Sequence, residues 1–481
     1  MRRAVRRQRS CLIGLCLAGC ATLSTCAAPP PPNILLLVVD SLRADRLDFY
    51  RTGRELTPFL ASLATHATVF WNAYAQSSWT LPSVASLWTS RYQSQHRVLG
   101  FNSGLAESED TLAEVLKQHG YVTACFSANV LLAKSGFAQG FDHYKYFPNA
   151  DQSGPAPVKE SADSLNQKSL VWLDALRKSG PAPAPFFLYL HYMEPHFPYF
   201  PPAAAFEKLL SRRADPERER QAYGDMLFVH RERWQHPDAV AADLIHDLYD
   251  GEVLAMDTQL QPFFAALEQR GLLRNTVVVI TADHGEELLD HGGIGHGRTL
   301  YNEVTHIPLL FMVPGQSQRI DIQTVTSEVD IAPTLLDVAA IPVPLSFAGH
   351  SQRAQLSAPG FVRRLWGHLN GLLATQVAKP AVAFSELLTL GDEHSAEPPL
   401  HVRALVVDSH KLTLNAWGQR QTYDLTADPQ EQHPDALSPT DRQTLNLAMT
   451  ASIQRAEHAP ATPRTETVDE ETKARMRALG Y

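Results

Sequence analysis

Thr276-Val277-Val278-Val279-Ile280-Thr281-Ala282-Asp283-His284-Gly285-Glu286 is an apolar run that breaks off into a carboxylate, an imidazole, a glycine and a second carboxylate. A nearly continuous apolar run of this length reads as a strand buried on both faces of a sheet. Asn33 to Val39 repeats the pattern and ends directly in Asp40. Between and beyond them, strands alternate with helices. Thr57 to Ala64 reads as a helix with Thr57 at its cap and Pro58 at its first position. Thr111 to His119 is helical and stops at Gly120, before the strand Tyr121 to Phe126. Phe186 to His191 and Ile307 to Val313 read as strands, and Asp243 to Gln269 as a long helix ending at Gly271. Such alternation predicts a doubly wound, mostly parallel α/β sheet flanked by helices. Val382 to Leu390, Val402 to Val407 and Lys411 to Leu414 are short strands with tight connections, which predicts a smaller antiparallel sheet near the C-terminus. The expected organisation is a leader over residues 1–19, a tether over 20–32, a catalytic domain over 33–350 and a smaller subdomain over 351–481. The polar stretches Ala150 to Asn166 and Arg212 to Asp238 read as insertions at the rim of a site.

Ligands in open α/β sheets bind beyond the carboxyl ends of the strands. Asp40, Asp283 and His284 therefore fall on one edge. Oxygen ligands with one imidazole suit a divalent metal such as magnesium, calcium, manganese or zinc. Taken alone, Asp40 is as readily a helix cap. A second feature lies in Ser78-Trp79-Thr80-Leu81-Pro82-Ser83. Pro82 marks a first helical turn, which puts Thr80 just outside a helix N-terminus, where free amides favour an anion. A hydroxyl there, bound to a metal, can attack phosphorus or sulfur. The plainer reading is that Thr80 is an N-cap.

The N-terminal residues belong to export rather than fold. Arg2, Arg3, Arg6, Arg7 and Arg9 precede the apolar stretch Cys11 to Gly19, much shorter than the roughly 20 residues of a membrane span. Leu17-Ala18-Gly19-Cys20 resembles a bacterial lipobox, which would make Cys20 the lipid-modified residue. The alternative is an ordinary secretory signal cleaved near Ala27 or Ala28. Ala27 to Pro32 is a proline-rich tether. The expected location is extracytoplasmic, held to a bacterial membrane through the lipid anchor only. Of five cysteines, only Cys125 lies within the folded part, so no disulfide framework forms there. The formal net charge of −9 argues against a nucleic-acid partner, whose binding face would be basic.

Taken together, several stretches identify a resemblance. They are Pro32-Asn33 through Asp40-Ser41-Leu42-Arg43-Ala44-Asp45, Thr80-Leu81-Pro82-Ser83 with Ser86 to Ser90, His96, and Gly140-Phe141-Asp142. They continue with His191 through Pro195-His196, Tyr249-Asp250-Gly251-Glu252, Asp283 to Glu286, His296-Gly297, Tyr301-Asn302-Glu303 and Asp330 to Leu335. In this order they resemble the sulfatase-like branch of the alkaline phosphatase superfamily, over nearly the whole chain from Pro32 onward. The resemblance implies that Asp40, Thr80, Asp283 and His284 are metal ligands and that Thr80 is the nucleophile. It implies that His196 and His296 bind the anionic oxygens or assist the leaving group, with His191 helping. Arg298 is a candidate anion clamp, and His291 carries less weight. For His191 and His196 the plainer reading is packing among Tyr192, Phe197 and Tyr199.

Two departures from the family pattern matter. Sulfatases carry cysteine or serine at the nucleophile, converted to formylglycine, with arginine four residues on; here those positions are Thr80 and Val84. Oxidised threonine would be a ketone, so the formylglycine route is closed. Also, Ser41 stands where sulfatases often have a second aspartate. The superfamily's threonine members act on phosphorus, and the His191 to His196 region lacks the aspartate that a second metal would need. The expectation is therefore a one-metal hydrolase of a phosphate, phosphonate or sulfate ester, acting on a small anionic ester or an envelope glycan or lipid through an adduct on Thr80. The alternatives are a transferase of a phospho-substituent to an envelope lipid or glycan, and a non-catalytic lipoprotein that keeps the fold.

Overall fold

Six consecutive side chains, Ile34 to Val39, are buried in the first strand, β1 (Asn33–Val39). Burying six aliphatic side chains is worth on the order of 10 kcal/mol, which makes this strand the spine of the fold. A computed structural model describes residues 30–50, 53–147, 159–178, 184–211, 239–356, 381–389, 400–458, 460–465, 472–473 and 476. The predicted lipobox with Cys20, the end of the chain and much of both predicted insertions lie outside these residues. No helix among the described residues is long and apolar enough to cross a membrane.

The other strands of the main sheet are β2 (Thr68–Tyr74), β3 (Val122–Ser127), β4 (His143–Tyr146), β5 (Phe186–Tyr192), β6 (Thr276–Thr281), β7 (His306–Met312), β8 (Ile320–Ile322) and β9 (Thr326–Ser327). Their spatial order is β8-β2-β7-β6-β1-β5-β3-β4, with β9 also on β2. β1 pairs in parallel with β5 and β6, while β7 runs against both its neighbours. The predicted mostly parallel doubly wound sheet is thus what forms. Its register decides the site. Val39 lies opposite Tyr192, and Val38 opposite both His191 and Thr281. The carboxyl ends of β5, β1 and β6 therefore finish side by side, and the residues that follow emerge at one edge.

Helices cover the faces, chiefly α1 (Thr80–Thr89), α2 (Ala162–Arg177) and α3 (Ala239–Gln269). The smaller sheet is the antiparallel meander β10 (Val382–Leu388), β11 (His401–Val407), β12 (His410–Leu414) and β13 (Arg420–Asp424). A helix over Pro439–Ala456 covers it with Leu445 and Met449 against Phe384, Leu405 and Leu412. The amide of Glu386 and the hydroxyl of Ser385 donate to the carbonyls of Gln76 and Ala75, at 2.8 and 2.6 Å. The small sheet thereby braces the chain just ahead of Thr80.

Three local expectations change. Thr57 stands at the cap of the helix Pro58–Ala64 with Pro58 first, as expected, but its hydroxyl makes no capping bond: it accepts from the amide of Asp48, and Asp257 of α3 receives the orphan amides of Phe59 and Leu60 instead. A tertiary carboxylate has displaced a local cap. Thr80 is the first residue of α1 rather than its cap, a position held by Trp79. The predicted insertion Ala150 to Asn166 ends inside α2, whose N-terminus Ser161 caps by accepting from Ser164 N.

Candidate active site

Asp40 leaves β1, and the chain turns at once through Ser41, a non-glycine residue at φ 60°. That left-handed turn costs of order 1–2 kcal/mol. It aims the Ser41 amide at Asp283 Oδ1, 3.2 Å away, and the His284 amide meets the same oxygen at 2.9 Å. Tyr249 of α3 holds the turn by donating to the Ser41 carbonyl at 2.7 Å. Arg43 spans to the other loop, pairing with Asp290 at 2.7 Å and with the Glu286 carbonyl. Gly285 fits because the backbone of Glu303 runs against it, leaving no room for a Cβ.

The Thr80 hydroxyl lies 3.5 Å from Asp40 Oδ2 and 3.3 Å from His284 Nε2. It makes no capping bond, so the plainer N-cap reading of Thr80 fails. His284 Nδ1 lies 2.8 Å from the Gly285 carbonyl, which can only accept, so Nδ1 carries the proton. That leaves the Nε2 lone pair facing Asp40 Oδ1 at 3.6 Å and Asp283 Oδ2 at 3.5 Å. His191 sits the other way round. Its Nε2 donates to Asp40 Oδ2 at 3.1 Å and its Nδ1 meets the Tyr189 hydroxyl at 2.8 Å. His191 is thus bound into the site rather than packed among aromatic rings. His196 and His296 face each other with ring centroids 4.9 Å apart, and His296 lies 4.3 Å from His284. Glu286 accepts from His296 Nδ1 at 2.7 Å, and the Phe197 carbonyl accepts from His196 Nδ1.

Burial dominates the electrostatics. It would raise Asp40, yet His196, His191 and His284 around it hold that carboxyl far below the usual range. Asp283 moves the opposite way, driven up by burial and by the charge of Asp40. Burial pushes His196 and His284 down to about 3, so both imidazoles are neutral. Two crowded carboxylates beside unprotonated nitrogen call for a cation. Asp40, His191 and Asp283 each offer one atom, all within 4.8 Å of one another. Asp283 Oδ2 is buried and has no hydrogen-bond partner among the described residues. A divalent metal fits this donor set. Of the two imidazoles, His284 is the better ligand, because its lone pair is free of a donor role that His191 Nε2–H already fills toward Asp40.

The edge thus gathers Asp40, Thr80, His191, His196, Asp283, His284 and His296. Arg298 is exposed, with its charge acting on Glu287. His291 stacks on Tyr301 and bonds Glu303 at 2.5 Å, outside the cluster. His96 is buried against Ser86 at 3.1 Å, a packing role. One residue escaped the sequence reading: Asn129, whose Nδ2 donates to Asp40 Oδ2 at 2.6 Å and reaches Thr80 Oγ1 at 3.4 Å. It follows the carboxyl end of β3, the same rule that singled out Asp40, and could have been found by it.

A mainly parallel sheet with carboxylates, imidazoles and a helix-initial hydroxyl on one edge defines the alkaline phosphatase superfamily class. The pattern of the sulfatase family matches residues 32–341, and this chain belongs to that family. Arylsulfatase K of Bos taurus is 28% identical over 353 residues, covering 66% of this chain and 64% of the relative. The chain thus spans just under two thirds of that relative's length. Among solved structures, the phosphonate monoester hydrolase of Silicibacter pomeroyi superposes with a TM-score of 0.69 at 20% identity, over 90% of this chain and 99% of that one. A protein in complex with its substrate D-glucosamine-2-N,6-O-disulfate gives 0.65 at 20%, over 89% and 98%. At such identity these two likenesses concern the fold.

Proposed function

We propose that the protein is a one-metal ester hydrolase that cleaves a phosphate, phosphonate or sulfate ester through a covalent adduct on Thr80, working outside the cytoplasm and anchored by lipid on Cys20. The observation that carries this is the Thr80 hydroxyl between Asp40 Oδ2 and the His284 lone pair, at 3.5 and 3.3 Å. Asp40, Asp283, His284 and Thr80 would hold the metal, which supplies the positive charge that stabilises threonine as an alkoxide. Thr80 Oγ1 then attacks phosphorus or sulfur. The new bond forms as the bond to the leaving oxygen breaks, and that oxygen takes a proton from His296. Glu286 accepts from His296 Nδ1 and so orients the ring for this transfer. Water next attacks the same centre, gives a proton back to His296 and releases Thr80. Neutral His196, protonated on Nδ1, offers only an acceptor nitrogen, so it suits a hydroxyl of the substrate or the incoming water rather than an anionic oxygen. Threonine in place of a formylglycine precursor favours a phosphorus ester.

The test is a panel of aryl esters: phosphate monoester, phosphate diester, phosphonate monoester and sulfate, with and without manganese, calcium or zinc. The expected outcome is metal-dependent release that prefers a phosphorus ester and vanishes in Thr80→Ala. Full activity in Thr80→Ala would end the assignment, and release that requires an added acceptor alcohol would make the protein a transferase.

A further inference from the structure

Ser83, one helical turn beyond Thr80 in α1, touches two groups at once. Its Oγ lies 2.5 Å from the backbone oxygen of Asp283 and 2.8 and 3.0 Å from the two carboxyl oxygens of Glu328. A serine hydroxyl brings one hydrogen. Two oxygens approach to 2.5 Å only with a hydrogen between them. A carbonyl cannot donate, so that hydrogen belongs to Ser83 and points at Asp283. The contact with Glu328 then has none left, unless Glu328 itself carries one. An ionised Glu328 would set lone pairs against lone pairs.

The surroundings agree. Glu328 is fully buried, and among the described residues it pairs with no lysine, arginine or histidine. Its other contact is the Gln76 amide at 3.2 Å, while the Gln76 side chain accepts from Val329 N at 2.8 Å. A charge in that place would be unpaired and costly. Burial raises this carboxyl far above its ordinary range, with the bond from the Gln76 amide offsetting only part.

We propose that Glu328 is a positioning residue: as a neutral acid it donates to Ser83, and through Ser83 it fixes the backbone carbonyl of Asp283 and the register of Thr80 against the metal ligands. Asp283 is then held at both ends. The amides of Ser41 and His284 take Oδ1, and Ser83 takes the carbonyl, which leaves Oδ2 for the metal. The inference rests on the reading of Asp283 as a ligand.

The experiment is calorimetric titration of the full-length protein with Mn2+ alone, for the wild type, Glu328→Gln, Glu328→Leu, Ser83→Ala and Asp283→Asn. Glutamine can still donate to Ser83 and accept from Gln76, so Glu328→Gln should bind within about threefold of wild type. Glu328→Leu and Ser83→Ala should bind about 10–100-fold more weakly, the usual loss for a support behind a metal ligand. An infrared difference spectrum, wild type minus Glu328→Gln without metal at neutral pH, should show the carbonyl band of a neutral carboxyl, which keeps the test open if Glu328→Leu fails to fold. Glu328→Gln as damaging as Glu328→Leu, or a carboxylate band in the spectrum, overturns the proposal. So does wild-type affinity in Glu328→Leu when Asp283→Asn has lost the metal. Wild-type affinity in Asp283→Asn overturns the ligand reading, and the inference with it.

Discussion

Gly285→Ala tests how the ligand loop is seated. A Cβ at Gly285 would fall 2.0 Å from the carbonyl oxygen of Glu303, and ordinary contact begins at 3.4 Å. The obstacle is backbone, so the loop at Gly285 and the short helix Asn302–Thr305 must part by the difference, 3.4 − 2.0 = 1.4 Å. Two bonds cross this gap: Gly285 N to Val304 O at 3.0 Å and Glu286 N to Glu303 O at 2.9 Å. Opening by 1.4 Å breaks both. Overpacking costs about 1–3 kcal/mol, and each lost bond about 0.5–1.5 kcal/mol. The total is about 2–6 kcal/mol, against changes within about 0.5 kcal/mol for a neutral site. Gly100→Ala is that control, since nothing lies within 4 Å of its Cβ. His284 and Glu286 flank the displaced residue, and a shift of about 1 Å near reacting groups costs about 100-fold in rate. The assay is thermal unfolding together with kcat/KM on the best aryl ester of the panel. A Gly285→Ala protein with the Tm and kcat/KM of the Gly100→Ala control would refute the reasoning, because the two backbones could not then be packed as described.

Asp283→Asn should lower bound metal, measured by elemental analysis, together with the rate; unchanged metal content would strike Asp283 from the ligands. Glu194 gives a pH prediction. Burial, with the charge of Glu252 adding to it, raises its carboxyl from 4.5 to about 7. The folded state therefore binds the proton more tightly than the unfolded one, so this contribution is complete below about 4.5 and is lost as pH rises through about 7. It is worth roughly 3 kcal/mol at most. Urea midpoints should fall over that window in wild type and less steeply in Glu194→Gln; parallel curves would show that Glu194 titrates normally. Cys20→Ser should release the protein from membranes into the soluble fraction, and continued attachment would dismiss the lipid anchor.

Where the sequence was legible, the reason was a local pattern. β1 and β6 are buried on both faces, so their residues form uninterrupted apolar runs, and Asn33–Val39 and Thr276–Thr281 could be bounded to the residue. The edge rule then placed Asp40, Asp283 and His284 together. What stayed hidden depends on contacts across the fold. Asp257 caps a helix nearly two hundred positions earlier in the chain, which no window around Thr57 contains. The distinct jobs of His191 and His284 turn on which ring nitrogen meets a carbonyl and which meets a carboxylate, and spacing carries no trace of that.

The same hydrogen inventory bears on how Thr80 would serve as the proposed nucleophile, where the sulfatase pattern has an oxidised cysteine or serine. Asn129 Nδ2 carries two hydrogens. One goes to Asp40 Oδ2 at 2.6 Å, and the other lies toward Thr80 Oγ1 at 3.4 Å. A donor on that side turns the hydroxyl proton the other way, toward Asp40 and the His284 lone pair. Those are the groups proposed to take the metal. Once they are engaged, the proton has no acceptor left in the site, while the oxygen keeps its donor. The threonine is then better solvated as an alkoxide than as an alcohol. A formylglycine hydrate achieves its reactivity through a second hydroxyl on the same carbon. Here Asn129 and the ligand set would achieve it around a single one, and the cost falls on metal dependence: without the cation, the geometry returns Thr80 to an ordinary hydrogen-bonded hydroxyl.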